Sequence, residues 1–499
     1  MGQELPIEVL KGPIGSGKSA ACCIRIFCHA LEQPPGADGW RRSRWAVIRN
    51  TNPMLETTTI QTWLDWFPEQ HFGKFNWAPP YSHVIRLEEQ KVELEMWFIP
   101  LDRPDQVKNL LSMEITGAWV NEAREVPREI VVAARSRCGR FPSLRSGAEP
   151  GWAGVICDTN EPEDDLHYLR MWAGQAEPPE WMDRTTRGLM FKPAGIKVYS
   201  QAPALTPVRD KGGAVTDFLD NPKAENLKNL RPGYYRSQLA GQRVAWVLNM
   251  LCCEPAHSGP TRPAQPEFRE AQHVAEKRLA WEPQGGRLLF GADFARNPAV
   301  VVAQEQEGVA HVLAELVGQN VSVEVFWRDT VIPFLNDRWP SWRDSHHGWG
   351  DPSGGNRTGA DDNTAFRVVQ GMGVKLYPCF TNDPEQRQGA LERRFRQLVA
   401  GAPAIRIDPR CHTLIAGLKG GYRYRKLQGQ GESFSEEIEK NLYSHICEAA
   451  EYLFLGLDRT ANKDEGDRRR AAREHQQPNG RVRVDPFAVA RAIRARRGR

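Results

Sequence analysis

The eight residues Gly12-Pro13-Ile14-Gly15-Ser16-Gly17-Lys18-Ser19 follow the spacing G-x-x-x-x-G-K-[ST], and their neighbours constrain the fold as tightly as the motif does. An apolar run, Ile7 to Leu10, precedes them, and a helix-compatible run, Ala20 to Leu31, follows. That is the strand, loop and helix order a phosphate cradle requires. Glycines let the loop curl so that backbone N–H groups converge on an anion, and the new helix adds the positive end of its dipole. In this reading Gly12, Gly15, Ser16 and Gly17 wrap the phosphates, Lys18 neutralises them and Ser19 ligates Mg²⁺. A glycine-rich turn beside an ordinary surface lysine is the competing account.

A chain of 499 residues exceeds what one hydrophobic core organises, so two or three domains are expected. No long apolar run and no secretory pattern after Met1 is present, which predicts a protein that stays in the cytosol and meets no membrane. Ten cysteines show no C-x-x-C spacing, so buried reduced thiols are expected rather than zinc or a redox centre. The formal charge of +4 hides an asymmetry: Arg459 to Arg499 holds 13 Lys/Arg against 5 Asp/Glu, an excess of +8, leaving −4 for the rest. With few large apolar residues, 459–499 reads as a basic, disordered tail, either a solubilising extension or an electrostatic arm.

The first 200 residues alternate strand-like and helix-compatible runs, as α/β domains with mostly parallel sheets do. Strands are predicted at Ile7 to Lys11, Trp45 to Arg49, Val92 to Ile99, Ile115 to Val120 and Val155 to Thr159. Prolines and glycines then break 201–284 into a connector with small helices around Tyr234 to Met250. A second α/β region, 285–458, opens with strands at Arg287 to Phe294, Ala299 to Gln306 and Val309 to Val317, the last two joined by the hairpin turn Glu307-Gly308. Helices are predicted at Val323 to Asn336, Thr364 to Gly371, Gln386 to Ala400 and Glu436 to Leu455.

A P-loop needs an acidic element at the end of a neighbouring strand. Ile115 to Glu122 is apolar and ends in Asn121-Glu122, so Glu122 is the expected general base and Asn121 the partner of a metal-bound water. Asp158-Thr159-Asn160, ending the next run, suits a sensor of the γ-phosphate, or a plain turn. Arg49, ending the Trp45 run, is the candidate arginine for phosphate stabilisation in cis or in trans.

In the second region Asp293 ends a strand, and Asp351 sits in a tight loop after a short one. Glu448 lies on a helix whose Asn441, Ser444, His445 and Glu448 form a polar stripe beside the apolar Leu442, Ile446, Ala449 and Leu453. Three carboxylates from two strand ends and a helix suit two Mg²⁺ or Mn²⁺ ions about 4 Å apart. Each acid alone reads equally well as a cap or a turn former.

Together these segments resemble the large terminase subunit of tailed bacteriophages. The resemblance runs from Lys11 to about Leu457. It is carried by Gly12 to Ser19, Leu110 to Ala123, Asp158-Thr159-Asn160-Glu161-Pro162, Gly291-Ala292-Asp293, Gly350-Asp351-Pro352-Ser353-Gly354 and Lys440 to Ala449. It implies an additional-strand P-loop ATPase domain followed by a ribonuclease H-like nuclease domain, with Asp293 and Asp351 as metal ligands. Glu448 stands where relatives often carry Asp, and Asn121 departs from the commoner acidic pair. The implied cofactors are ATP and Mg²⁺, with Mn²⁺ as the alternative nuclease ion. The implied partners are double-stranded DNA, a portal protein, a small terminase subunit and further copies of the chain in a ring, in the host bacterial cytoplasm and at the procapsid portal. A cellular ATP-dependent helicase or nuclease, and an ATPase with an inactive second module, are the competing functions.

Overall fold

The computed structural model describes residues 5–143, 145, 148–210, 213–256, 261–355, 364–427 and 433–475. The first lobe is built on an eight-stranded sheet. Its strands are β1 (Ile7–Lys11), β2 (Arg41–Arg49), β3 (Phe75–Asn76), β4 (Tyr81–Leu87), β5 (Val92–Pro100), β6 (Gly117–Asn121), β7 (Gly154–Thr159) and β8 (Ile196–Ser200). Their order is β3-β4-β5-β2-β6-β7-β1-β8, parallel except at β3 and β4. β7 stands between the P-loop strand and the strand ending at Asn121, the extra strand the resemblance implies. The central strands are buried on both faces, as the continuous Val/Ile/Ala/Trp runs of β2, β6 and β7 require. Helix α1 (Lys18–Glu32) packs Cys22, Cys23, Ile26 and Ala30 onto one face.

The connector divides its allegiance. The hairpin of β9 (Leu205–Arg209) and β10 (Val215–Asp220) and the short helices Tyr234–Ser237 and Val244–Met250 share a small core that Ile14 of the P-loop joins. Ala264 and Phe268 belong instead to the core of the second lobe.

That lobe carries β11 (Leu288–Asp293), β12 (Ala299–Gln306), β13 (Val309–Val317), β14 (His346–Gly350), β15 (Leu376–Pro378) and β16 (Ile405–Ile407). The order is β15-β14-β11-β12-β13-β16, with β12 antiparallel to both neighbours and the other pairs parallel, a mixed sheet of the ribonuclease H-like type. Glu307 and Gly308 turn the β12–β13 hairpin with φ of 51° and 83°, the left-handed pair a two-residue turn needs. Helix α2 (Pro384–Arg396) packs on helix α3 (Leu442–His475), and α3 lies across the sheet. The contact of α3 with β11 is so close that a Cβ on Gly291 would meet the Ala449 carbonyl at 2.0 Å.

Three expectations are corrected. Glu436 to Leu455 is not one helix: Phe434–Ile438 is a strand paired with Tyr424–Lys426, and the helix starts at Leu442 because the Asn441 side chain caps it, accepting from the N–H groups of Tyr443 and Ser444 at 2.9 and 3.1 Å. The helix expected to reach Ala400 ends at Arg396, and Leu398–Val399 pairs with Ala402–Pro403. The backbone of 459–475, expected as tail, continues α3, while 476–499 lies outside the described residues. All ten cysteines are free and eight of them are buried. Among the described residues no helix is long and apolar enough to cross a membrane.

Candidate functional sites

β1 delivers the chain into the P-loop, where Gly15 (φ 71°) and Gly17 (φ 85°) adopt the left-handed conformation that the curl demands. The Lys18 ammonium donates to the Pro13 carbonyl at 2.6 Å and to Asn160 Oδ1 at 3.0 Å. The loop is roofed by the connector: Gln201 accepts from Ser16 Oγ at 2.7 Å, and Asn226 donates to the Gly15 carbonyl at 2.8 Å.

The sheet order puts Asp158, not Asn121, opposite Ser19. Ser19 Oγ donates to Asp158 Oδ2 at 2.6 Å. The fully buried Asp158 also accepts from Trp119 Nε1 at 2.7 Å and from Asn121 Nδ2 at 3.0 Å. Asn121 Oδ1 in turn accepts from Thr59 Oγ1 at 2.7 Å. Asp158 therefore stands where the Mg²⁺ shell of a P-loop would form, and Asn121 holds it there.

Glu122, one residue past β6, has φ 51° and ψ 57°, and its buried Oε2 has no hydrogen-bond partner among the described residues. Burial raises its pKa, with Asp158 adding to the effect and Arg124, Lys18 and Arg49 opposing it. Burial lowers the pKa of Lys18, against the pull of Glu122 and Asp158. An orphaned carboxylate oxygen and a desolvated ammonium facing two acids fit a bound Mg²⁺–nucleotide, which would supply the missing partners. Arg49 is buried; its Nη1 lies 3.1 Å from Glu125 and 3.4 Å from the Asn121 carbonyl, while its Nε has no hydrogen-bond partner among the described residues. No local pattern marks Arg124, yet its guanidinium bridges the Glu161 carbonyl at 3.1 Å and Asn249 Oδ1 at 2.8 Å, with Nε 3.7 Å from Glu122 Oε2. Thr159 accepts from the Arg124 backbone N–H at 3.1 Å.

In the second lobe, strand alternation does the positioning. Leu288, Phe290 and Ala292 face one core, while Leu289 joins the core that contains α3 and Gly291 abuts the helix backbone, so Asp293 also points toward α3. Glu448 and His445, a turn apart on α3, point back. One donor atom each from Asp293, His445 and Glu448 lies within 4.8 Å of the others, and both carboxylates are 3% exposed. His445 Nδ1 is 2.7 Å from Asp293 Oδ2. Asp351 follows the parallel neighbour β14, its N–H donating to the Ala292 carbonyl at 3.1 Å; it stands beside the tight group rather than inside it. Burial raises the Asp293 pKa; the hydrogen bond from His445 opposes this, and Glu448 and Asp351 reinforce it.

Two buried carboxylates and an imidazole converging on one space are a donor set suited to a divalent cation. Glu448 already has cationic neighbours that no local sequence pattern marks: Lys440 Nζ lies 2.6 and 2.8 Å from its two oxygens, and Arg387 of α2 is 3.2 Å away.

The fold and these pockets define a class: a P-loop lobe with an added strand, joined to a mixed-sheet lobe with a buried acidic centre. No protein-family model matches the chain, and no curated protein matches it. Among solved structures it is similar to large terminases. With the large terminase of a thermophilic bacteriophage, solved in several crystal forms, it shares 11% identity over 90% of this chain and 93% of that one, with a TM-score of 0.36. With that of bacteriophage HK97 the identity is 11% over 91% of each chain, with a TM-score of 0.37. The large terminase nuclease of the thermophilic phage G20c, solved with bound cobalt, matches 39% of this chain and 95% of its own at 12% identity and a TM-score of 0.27.

Proposed function

We propose that this chain is the large subunit of a viral DNA-packaging motor: an ATPase that drives double-stranded DNA into a procapsid, joined to a divalent-cation-dependent endonuclease that cuts concatemeric DNA. Its domains are taken as 1–200, the connector 201–284 and the nuclease from 285, whose last helix runs past 458 to His475. The observation that carries the reading is the presence in one chain of two separate charged centres. One is Lys18, Ser19, Asp158 and Glu122 around a P-loop; the other is Asp293, His445 and Glu448, with Asp351 alongside.

In the first centre Lys18 and the loop N–H groups bind the phosphates, Ser19 and Asp158 hold Mg²⁺, and Glu122 takes the proton of the attacking water. Thr159 and Asn160 report the phosphate state through the contact of Asn160 with Lys18. In the second, Asp293, Asp351 and Glu448 hold a pair of Mg²⁺ or Mn²⁺ ions. Bound there, such ions polarise a phosphodiester and lower the pKa of water. A duplex presents phosphates at regular spacing, so the motor grips backbone without reading sequence. Site choice then falls to a small terminase subunit, and docking to a portal protein on which copies of the chain form a ring, in the cytoplasm of a bacterial host.

The test uses the full chain. Lys18→Ala is expected to abolish ATP hydrolysis and retain plasmid nicking with Mn²⁺, while Asp293→Ala does the reverse. Loss of both activities in either folded variant would sink the two-centre reading.

A further inference from the structure

The connector helix Val244–Met250 ends against three parts of the nucleotide centre. The Met250 carbonyl accepts from the Ile14 N–H of the P-loop at 3.1 Å, the Met250 sulfur lies 3.6 Å from Asn160 Nδ2, and the fully buried Asn249 meets Arg124. Arg124 stands between two claims. Its Nη1 donates to Asn249 Oδ1 at 2.8 Å and to the Glu161 carbonyl at 3.1 Å, which Asn249 Nδ2 also reaches at 3.0 Å. Its Nε is 3.7 Å from Glu122 Oε2, beyond hydrogen-bond range, and that oxygen has no hydrogen-bond partner among the described residues. A guanidinium beside an unpaired carboxylate frequently closes on it with two parallel hydrogen bonds. Here the connector amide holds it about 1 Å short of doing so. The Arg124 backbone N–H is fixed to Thr159 Oγ1 at 3.1 Å, so a change of partner needs movement of the side chain alone.

We infer that Arg124 is a positioning residue through which the connector controls Glu122: Asn249 draws the guanidinium off the carboxylate, and withdrawal of the connector helix lets Arg124 pair with Glu122 and silence it. The inference rests on the ATPase reading of the first centre and adds to it the means of control. A carboxylate that accepts two hydrogen bonds from a guanidinium is a poor proton acceptor, because the pair stabilises its charged form. Unpaired, it is free to take a proton from water. The same helix end carries the Ile14 contact, so Glu122 stays available only while the connector is seated on the P-loop. Control of this kind acts on turnover and spares nucleotide binding, because none of the groups that compete for Arg124 belongs to the P-loop.

The test is a two-residue cycle on the full chain, read as steady-state ATP hydrolysis, with nucleotide affinity followed by a fluorescent ATP analogue. Asn249→Ala frees the guanidinium. It is expected to lower kcat about tenfold, the lower range of a hydrogen bond to a charged group, and to change nucleotide affinity less than about twofold. In an Arg124→Gln background, where no guanidinium is left to pair with Glu122, the same substitution is expected to change kcat less than about twofold. Unchanged turnover in Asn249→Ala, or an equal loss in both backgrounds, would overturn the inference, since Asn249 would then not act through Arg124. Asn249→Asp is the isosteric check, and it stands alone should the alanine variant not fold. It keeps an acceptor for Arg124 and is expected to bring kcat back to within about twofold of the wild type; a tenfold loss in that folded variant would equally overturn the inference. ATP turnover that survives Lys18→Ala would instead remove the ATPase reading itself.

Discussion

The hydroxyl of Tyr443, on the first turn of α3, hydrogen-bonds the carboxylate of Asp164 in the first lobe. Asp164 lies shortly after Asn160, which touches Lys18, and Tyr443 lies shortly before His445, which touches Asp293. A neighbouring ion pair, Lys419 to Asp165 at 2.7 Å, ties the same first-lobe segment to the turn Gly417–Gly421 of the second lobe. On the proposed function, a shift of the Asn160 segment with nucleotide state would be passed through this bond to the turn of α3 that carries the acid centre. Tyr443→Phe keeps the packing and removes the bond. Plasmid cleavage by the wild type is expected to differ several-fold, roughly the range of ordinary allosteric coupling, with and without a non-hydrolysable ATP analogue. The variant is expected to cleave at a similar basal rate with most of that difference gone. An undiminished nucleotide effect in the variant would show that coupling takes another route.

Asn121 explains its own departure from the acidic pair usual at that place. Its amide donates to both oxygens of Asp158, at 3.0 and 3.1 Å, so an aspartate would set two buried carboxylates face to face. Asn121→Asp is expected to lower the melting temperature and ATP turnover, and both losses should be larger at pH 8 than at pH 5. The sign follows from the pair: the introduced carboxyl titrates at a raised pH, takes a proton as pH falls, and then restores a donor to Asp158. Equal losses at both pH values would mean that the amide does not serve this purpose.

How much of this is legible in the sequence depends on the range of the interaction. The P-loop, the period-two placement of Asp293 and the stripe bearing His445 and Glu448 are local patterns, and they appear in the structure where the spacing puts them. Asp158 facing Ser19 depends on β7 lying next to β1, a choice of sheet order that no local window contains. Arg124 meets the Glu161 carbonyl and Asn249, and Arg387 meets Glu448, across long separations in sequence that no local pattern spans. Arg49 is buried beside Glu125, a pairing with a later segment that its place at the end of the Trp45 run does not reveal. Glu436 and Glu437 have helix-forming side chains, but pairing with Tyr424–Lys426 and the Asn441 cap outweigh that preference.

The two cations on Glu448 differ in exposure, and their removal is expected to differ accordingly. The Lys440 side chain is 61% exposed, so its pairing is screened, and an incoming ion must displace it. Lys440→Met is expected to tighten Mn²⁺ binding, read by calorimetry, by about fivefold, the roughly 1 kcal/mol of an exposed pair. Arg387 is 8% exposed and lies 3.2 Å from Glu448 and 3.6 Å from Glu451. Arg387→Met removes the one buried cation that Glu448 and Glu451 share and is expected to cost about 3 kcal/mol of stability in denaturant unfolding. Tight folding of Arg387→Met, or weaker Mn²⁺ binding by Lys440→Met, would contradict this account of Glu448.

His29 gives the first lobe a defined acid sensitivity. It is buried on α1, with neither ring nitrogen hydrogen-bonded among the described residues, stacked 4.1 Å from Trp152 with Trp45 at 6.2 Å. Burial, aided by Arg25, lowers its pKa from 6.5 to about 4. The folded state therefore binds this proton less readily than the unfolded chain does, so its stabilisation is complete above pH 6.5 and is lost as pH falls from there toward 4. At pH 5 the loss from this one group amounts to about 2 kcal/mol. His29→Phe keeps an aromatic ring stacked on Trp152 and removes the titration. Between pH 7.5 and pH 5 the unfolding free energy of the wild type is expected to fall by about 2 kcal/mol more than that of the variant, measured in parallel urea titrations. Parallel pH dependences would mean that His29 is solvated or partnered in solution, contrary to the stacked and unbonded ring seen here.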